Sequence, residues 1–446
     1  MAGLSVATAS FGQAAQTMQP VQTQPVQTQP VQAQIAQPAS TAEAGSLRRP
    51  GDVYKEAMHP LDVVRDSLDN WSDPELAAFA TGMRKAKIAC EQAKPEDYSG
   101  DDLYDLGRLC ALGQEWNATH TIAVKYIASG DETHRARAYA MSINALIHMG
   151  DSEHGVETAR EMLQKLPYDA VVAESVGYLT TYLEESLDPA ALSLAVEHRP
   201  FLMEALAKGV PLPEIHGNDL TSVGMFYESI MQVAFLQRYA GRDQDADATI
   251  ADLKAAMAKL GTVGVEDRIL ITAVDKRYAF LGAQIPSIDV YKSLLNPAAK
   301  AKINQVRGSL TVLLLFPDWC AQCHKMMKPL SSLAIRQAES KVYAYGLVFE
   351  DGKESSAKAP HDWNFLDANE KELIGTPTLI VSPDTPGVFG ADDYPLGVVT
   401  DTDGRIRFIG VLPTNALDPH GFVGEVVNRI ASGRAILSSG GADSGR

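Results

Sequence analysis

In Thr311-Val-Leu-Leu-Leu-Phe-Pro-Asp-Trp-Cys-Ala-Gln-Cys-His-Lys-Met-Met-Lys-Pro-Leu330 an apolar run delivers two cysteines onto the start of what reads as a helix. Thr311 to Phe316 has the length and the β-branched or leucine content of a strand buried on both faces, and Pro317-Asp318 breaks it. Lys325 to Leu330 reads as helical, so Cys320 sits at a strand-to-helix turn. Backbone N–H groups at a helix N-terminus carry partial positive charge and favour thiolate over thiol. Cys320 is therefore the expected nucleophile of the Cys320-Ala-Gln-Cys323 pair.

Working outward, strands alternate with helices from about residue 283. Gln284 to Val290 is a short strand candidate, a helix is expected near 291–305, and Lys341 to Phe349 is a second interior strand. Thr376 to Val381 is a third strand, and Leu396 to Asp401 with Arg405 to Leu412 forms a hairpin turning at Asp403-Gly404. Gly421 to Ser432 closes the segment as a helix. Trp319-Cys320-Ala-Gln-Cys323 after an interior strand, then Gly375-Thr376-Pro377-Thr378, then the hairpin and last helix, resemble a thioredoxin-fold domain of the extracytoplasmic thiol-disulfide oxidoreductase branch. The resemblance covers about 150 of the 446 residues.

That resemblance implies a chemistry. Cys320 would attack a substrate disulfide as thiolate, and the more buried Cys323 would resolve the mixed disulfide. The residue matching Pro377 would be a cis-proline packed against the pair. Thr376 would offer backbone groups to an extended substrate segment, and Trp319 would form an apolar rim. The chain departs from the commonest pattern in three places. Leu314 stands where cytoplasmic thioredoxins carry a buried aspartate, which leaves Asp318 and His324 as candidates for tuning the thiols. Lys328 stands where a helix-kinking proline is usual, with Pro329 one place on. Ala321-Gln322 between the cysteines carries over no reduction potential. The implied cofactor is none beyond the Cys320–Cys323 disulfide itself, and direction of electron flow stays open.

Two rival chemistries share these residues. Cys320-Ala-Gln-Cys323-His324 also satisfies the c-type haem attachment pattern, in which both thiols become thioethers. The upstream buried strand, Trp319 and the Thr376-Pro377 segment weigh against it. Structural zinc needs four ligands, and two cysteines with His324 leave the set incomplete, so no metal is expected. A third reading, from a different class, makes the protein an interaction scaffold whose thioredoxin-like domain has little catalytic activity.

Residues 51–282 read as helical almost throughout. Ser72-Asp73-Pro74-Glu75 supplies a cap, a proline where no N–H is needed and an acid in the first turn. Helices are expected from there to about Ala93 and near 101–112, 116–129, 134–149, 153–166, 168–184, 188–208, 219–240, 244–260 and 265–281. Ala138 to Leu166-Pro167, with a turn at Gly150-Asp151, resembles a tetratricopeptide repeat, which implies stacked helical hairpins and a surface for a partner protein. Cys90 and Cys110 lie on successive helices, either reduced and buried or, in an exported chain, bridged.

The expected fold class is thus multidomain: an N-terminal all-α, tetratricopeptide-like helical-hairpin array followed by a C-terminal α/β thioredoxin fold. The expected segments are a Gln/Pro-rich 1–50, the helical 51–282, the thioredoxin-like 283–435 and a tail at 436–446. Pro-Val-Gln-Thr-Gln recurs at 20–24 and 25–29, too polar to bury a core. Ala7-Thr-Ala9 resembles a cleavage site without a basic leader, so the start reads either as a truncated export signal or as a plain Ala/Ser-rich segment. Export to the periplasm or another extracytoplasmic space is the expected location. A net charge of -17 excludes a polyphosphate-binding surface, so nucleic acid is not an expected partner. The expected partners are protein clients with thiols or disulfides and a protein that donates or accepts electrons. No run of 18 apolar residues marks a transmembrane helix.

Overall fold

The computed structural model describes residues 48–65, 72–208, 222–261, 263–293, 303, 307–337, 341–350, 378–413, 415–418 and 421–438. The Gln/Pro repeats, most of the helix expected at 291–305, and Thr376 and Pro377 lie outside them. The chain divides into two compact units, Met1–Leu166 and Pro167–Arg446. The change from helical to mixed periodicity near 282 therefore falls inside the second unit.

The first unit is helical: α1 (Pro50–Val64), α2 (Asp73–Gln92), α3 (Gly100–Leu112), α4 (Trp116–Ala128), α5 (Arg135–Met149) and α6 (Ser152–Lys165). Local chemistry sets its ends. Ser72 and Glu75 form a reciprocal capping box at α2, with the Ser72 N–H donating to Glu75 Oε2 at 2.7 Å. Gly150 ends α5 in the left-handed conformation at φ 73°, and Asp151 accepts the His154 N–H to open α6. Each helix packs on the next, and two glycines set how closely. A Cβ at Gly82 would lie 2.6 Å from Ala57 O, and one at Gly113 would lie 2.6 Å from Lys87 Cα, so a side chain at either would force backbones apart. Cys90 and Cys110 are disulfide-bonded between α2 and α3, their Cα atoms 5.0 Å apart. Both are buried among Leu106, Leu109 and Ala86. This resolves the alternative left open by the sequence in favour of the bridge.

The second unit begins with α7 (Ala170–Glu185), α8 (Ala190–Lys208), α9 (Ser222–Tyr239), α10 (Asp243–Leu260) and α11 (Val265–Phe280). A mixed sheet follows: β1 (Val290–Ser293), β2 (Leu310–Pro317), α12 (Ala321–Arg336), β3 (Val342–Phe349), β4 (Thr378–Val381), α13 (Thr385–Phe389), β5 (Leu396–Thr400), β6 (Ile406–Val411) and α14 (Phe422–Ala431). The strand order is β1-β4-β3-β2-β5-β6. β2, β3 and β4 run parallel, and β1, β5 and β6 pair antiparallel to their neighbours. The first residues of the helix expected at 291–305 are strand instead, because pairing of Val290 with Val381 and of Ser293 with Leu379 claims them.

β2 is buried along its whole length, as its unbroken apolar run requires. Side chains alternate between two cores. Leu313 and Leu315 join Tyr345, Leu347, Phe349, Val398 and Ile409 on one face, against which Phe235 of α9 and Phe280 of α11 pack. On β3 the intervening Gly346 faces α12: a Cβ there would stand 2.4 Å from Met327 Cε. Helices read from sequence as part of the array thus supply one cover of the sheet. The contact is polar as well as apolar, since Tyr239 O–H donates to the carbonyl of Ile409 at 3.1 Å.

Candidate functional site

The two cysteines stand where β2 hands over to α12. The turn is held by backbone bonds: the Asp318 N–H donates to Phe349 O at 2.9 Å and the Cys320 N–H to Pro317 O at 3.1 Å. Cys320 is the N-cap of α12, and the Cys323 N–H donates to Cys320 Sγ at 3.2 Å. An unspent amide of the first helical turn therefore points at the sulfur that would carry negative charge on reduction. Cys320 and Cys323 are joined as a disulfide. Their surroundings differ: Cys323 is fully buried, Cys320 is half-buried, and Trp319 beside it is 45% exposed. Cys320 is thus the more exposed of the two.

Around the pair, Leu314 is buried between Gly346 and Gly397 on the neighbouring strands, so no carboxylate reaches the site from that position. His324 lies edge-on to Phe316, ring centroids 5.5 Å apart, and its half-burial lowers its pKa, with Asp318 acting weakly the other way. The imidazole is therefore neutral near pH 7 and adds no cation to the site. Pro329 lies inside α12, one residue after Lys328, and removes one helical N–H there.

The register places one proline at the cysteine end of the sheet. β4 is separated from β2 by β3 and runs parallel to it, and Thr378, its first residue, is level with Gly346 and so with Leu314. β4 thus runs toward the cysteine end of the sheet. β5 is the direct antiparallel neighbour of β2, with Leu396 opposite Leu315. Pro395 accordingly lies level with Phe316, at the end from which Cys320 emerges. The Tyr394–Pro395 bond is cis, and the Tyr394 ring sits 5.3 Å from that of Phe349, the residue whose carbonyl holds the Asp318 amide. Thr376-Pro377, expected from its resemblance and its spacing after Cys323, lies outside the described residues, and the sequence reading does not single out Pro395. The signal for Pro395 was present in the sequence, since it leads straight into the hairpin that turns at Asp403-Gly404.

No family model matches the chain, and no curated protein matches it. Among solved structures it is similar to a thiol-disulfide isomerase from Corynebacterium glutamicum, with a TM-score of 0.27 and 19% identity over 34% of this chain and 97% of that one. It is similar also to the thioredoxin domain of a thiol-disulfide oxidoreductase from Bacteroides vulgatus, with a TM-score of 0.26 and 17% identity over 33% of this chain and 98% of that one. StoA from Bacillus subtilis gives a TM-score of 0.22 and 14% identity over 29% of this chain and 91% of that one. These likenesses take in about a third of this chain. Among the described residues no helix is long and apolar enough to cross a membrane.

Proposed function

We propose that the protein is a thiol-disulfide oxidoreductase acting on protein substrates through Cys320 and Cys323. The observation that carries this reading is the unequal placing of the two sulfurs, one reachable and facing a helix N-terminus, the other sealed behind it. In the reducing direction the Cys320 thiolate attacks a substrate disulfide, forming a mixed disulfide and releasing one substrate thiolate. Cys323, deprotonated, then attacks Cys320 Sγ, and the second substrate thiolate leaves. Two electrons pass to the substrate, its two thiolates take up two protons, and an external dithiol must restore the pair. The reverse sequence oxidises a dithiol. The Cys320/Cys323 pair carries the electrons itself, as dithiol when reduced and disulfide when oxidised, so the reaction calls for no further cofactor.

Trp319 supplies an exposed apolar rim at the nucleophile. The register supports Tyr394-Pro395 as a residue pair offered to the substrate backbone. A neutral His324 fits a proton acceptor better than a thiolate-stabilising cation. Haem attachment fits poorly, because it needs both sulfurs outward and Cys323 is sealed. The helical hairpins of the first unit, read as tetratricopeptide-like, would recruit the client, and the buried Cys90–Cys110 bridge favours an oxidising, extracytoplasmic compartment. The decisive experiment is Cys323→Ser in the native compartment. It should accumulate mixed disulfides on Cys320, seen as adducts that dithiothreitol dissolves. Partner binding without adducts would make the protein a scaffold instead.

A further inference from the structure

Arg277 is 7% exposed, belongs to a helix outside the strands of the redox site, and takes no part in the chemistry above. Two of its contacts run to one segment. Nη1 donates to the carbonyl of Gly390 at 2.9 Å and to the carboxylate of Asp392, while Nη2 faces Glu228 Oε1 at 3.3 Å. One residue earlier, Lys276 Nζ donates to the carbonyl of Gly387 at 2.8 Å. One turn earlier, the carbonyl of Ala273 lies so near Gly390 that a Cβ there would stand 2.3 Å away, and Gly390 has φ 67°. Residues 273, 276 and 277 share a face of α11 at helical spacing. That face holds the segment from Gly387 to Asp392 at three points, and three residues later the chain is at Pro395.

We infer that Arg277 is a positioning residue for disulfide exchange: by clamping Gly390 and Asp392 to α11 it fixes where Tyr394-Pro395 stands beside the disulfide. The inference rests on the oxidoreductase reading. A guanidinium suits the task because its planar fork serves a carbonyl and a carboxylate at once, whereas an ammonium on a flexible stem holds them less rigidly. The helical layer is then part of the redox machinery, since the segment that meets the substrate takes its place from a helix outside the sheet that carries the cysteines.

The test uses the full chain. Arg277→Met, Arg277→Lys and Asp392→Asn are compared with wild type in disulfide exchange with insulin and with the small probe dithiothreitol. A positioning role moves the two apart. KM for insulin should rise about tenfold in Arg277→Met, as misplacing one wall of a docking site does, while the rate with dithiothreitol stays within about twofold of wild type. Arg277→Lys should recover part of the loss. Amide exchange at Leu412, whose N–H donates to Pro395 O at 2.9 Å, should quicken in Arg277→Met. An unchanged insulin KM in folded Arg277→Met overturns the inference, as does a parallel loss with both probes. If Arg277→Met does not fold, Asp392→Asn, which keeps the guanidinium, decides by the same two readings. Failure of the redox reading looks different: wild type itself would exchange with neither probe.

Discussion

At the scale of single residues, burial sets the behaviour of the histidines. His198 on α8 is 3% exposed, its Nε2 lies 2.7 Å from the Tyr168 hydroxyl, and burial pushes its pKa down to about 4. The folded imidazole is neutral and shares a hydrogen bond with the phenol, while an unfolded chain protonates it below about 6.5. Stability from this residue is therefore full above the unfolded value. It is lost as the pH falls from there toward 4, by on the order of 3 kcal/mol at most. Glu184 works against this, because burial raises its pKa to about 7 and its share of stability falls as pH rises toward that value. The two are separated by substitution. His198→Gln should flatten the rise in stability between about pH 5 and pH 7 relative to wild type, measured by urea unfolding at each pH. An unaltered slope would mean that His198 protonates without cost in the native state.

At the scale of elements, what the sequence made legible was whatever a few neighbouring residues decide. The capping box at Ser72, the Gly150-Asp151 turn and the strand-to-helix turn at Cys320 all stand where their local chemistry put them. What it concealed were choices made by distant partners. Pro377-Thr-Leu-Ile-Val381 and Pro395-Leu-Gly-Val-Val399 look alike along the chain, and only pairing shows that the second runs beside β2. Tyr291 to Ser293 fall in an expected helix and are strand because β4 lies alongside. The bridge between α2 and α3 is likewise a matter of meeting rather than pattern. It closes a loop of 20 residues, for which the loss of unfolded-chain entropy is worth roughly 3 kcal/mol. Replacing both Cys90 and Cys110 by Ser should lower the stability of the first unit by about that amount, read from its urea midpoint, and leave disulfide exchange at Cys320 within about twofold.

At the scale of the whole molecule, the expectation of a multidomain chain agrees with the two compact units, and the change of periodicity marked where strands begin. It did not mark where one unit ends, because an amphipathic helix declares that a face is covered without saying by what. Phe235 of α9 and Phe280 of α11 read equally well as array core or as cover for a sheet, and in the fold they cover the sheet. The second unit consequently holds one layer of helices for packing and another, α12 and α14, that carries the cysteines and closes the domain.

The protein's two disulfides also give it an internal standard for counting. Cys110 and Cys323 are both inaccessible, yet one bridge has a half-buried partner at a helix start and the other has none, with Cys90 only 6% exposed. A hydrophilic reductant followed by a mass-tagging alkylator should label two thiols in the native protein and four once it is unfolded. The ratio of the two readings reports, in a single sample, the fraction of molecules with an intact first unit. Four tags on native protein would show that the Cys90–Cys110 bridge is open to exchange, and the chain would then hold two redox couples instead of one.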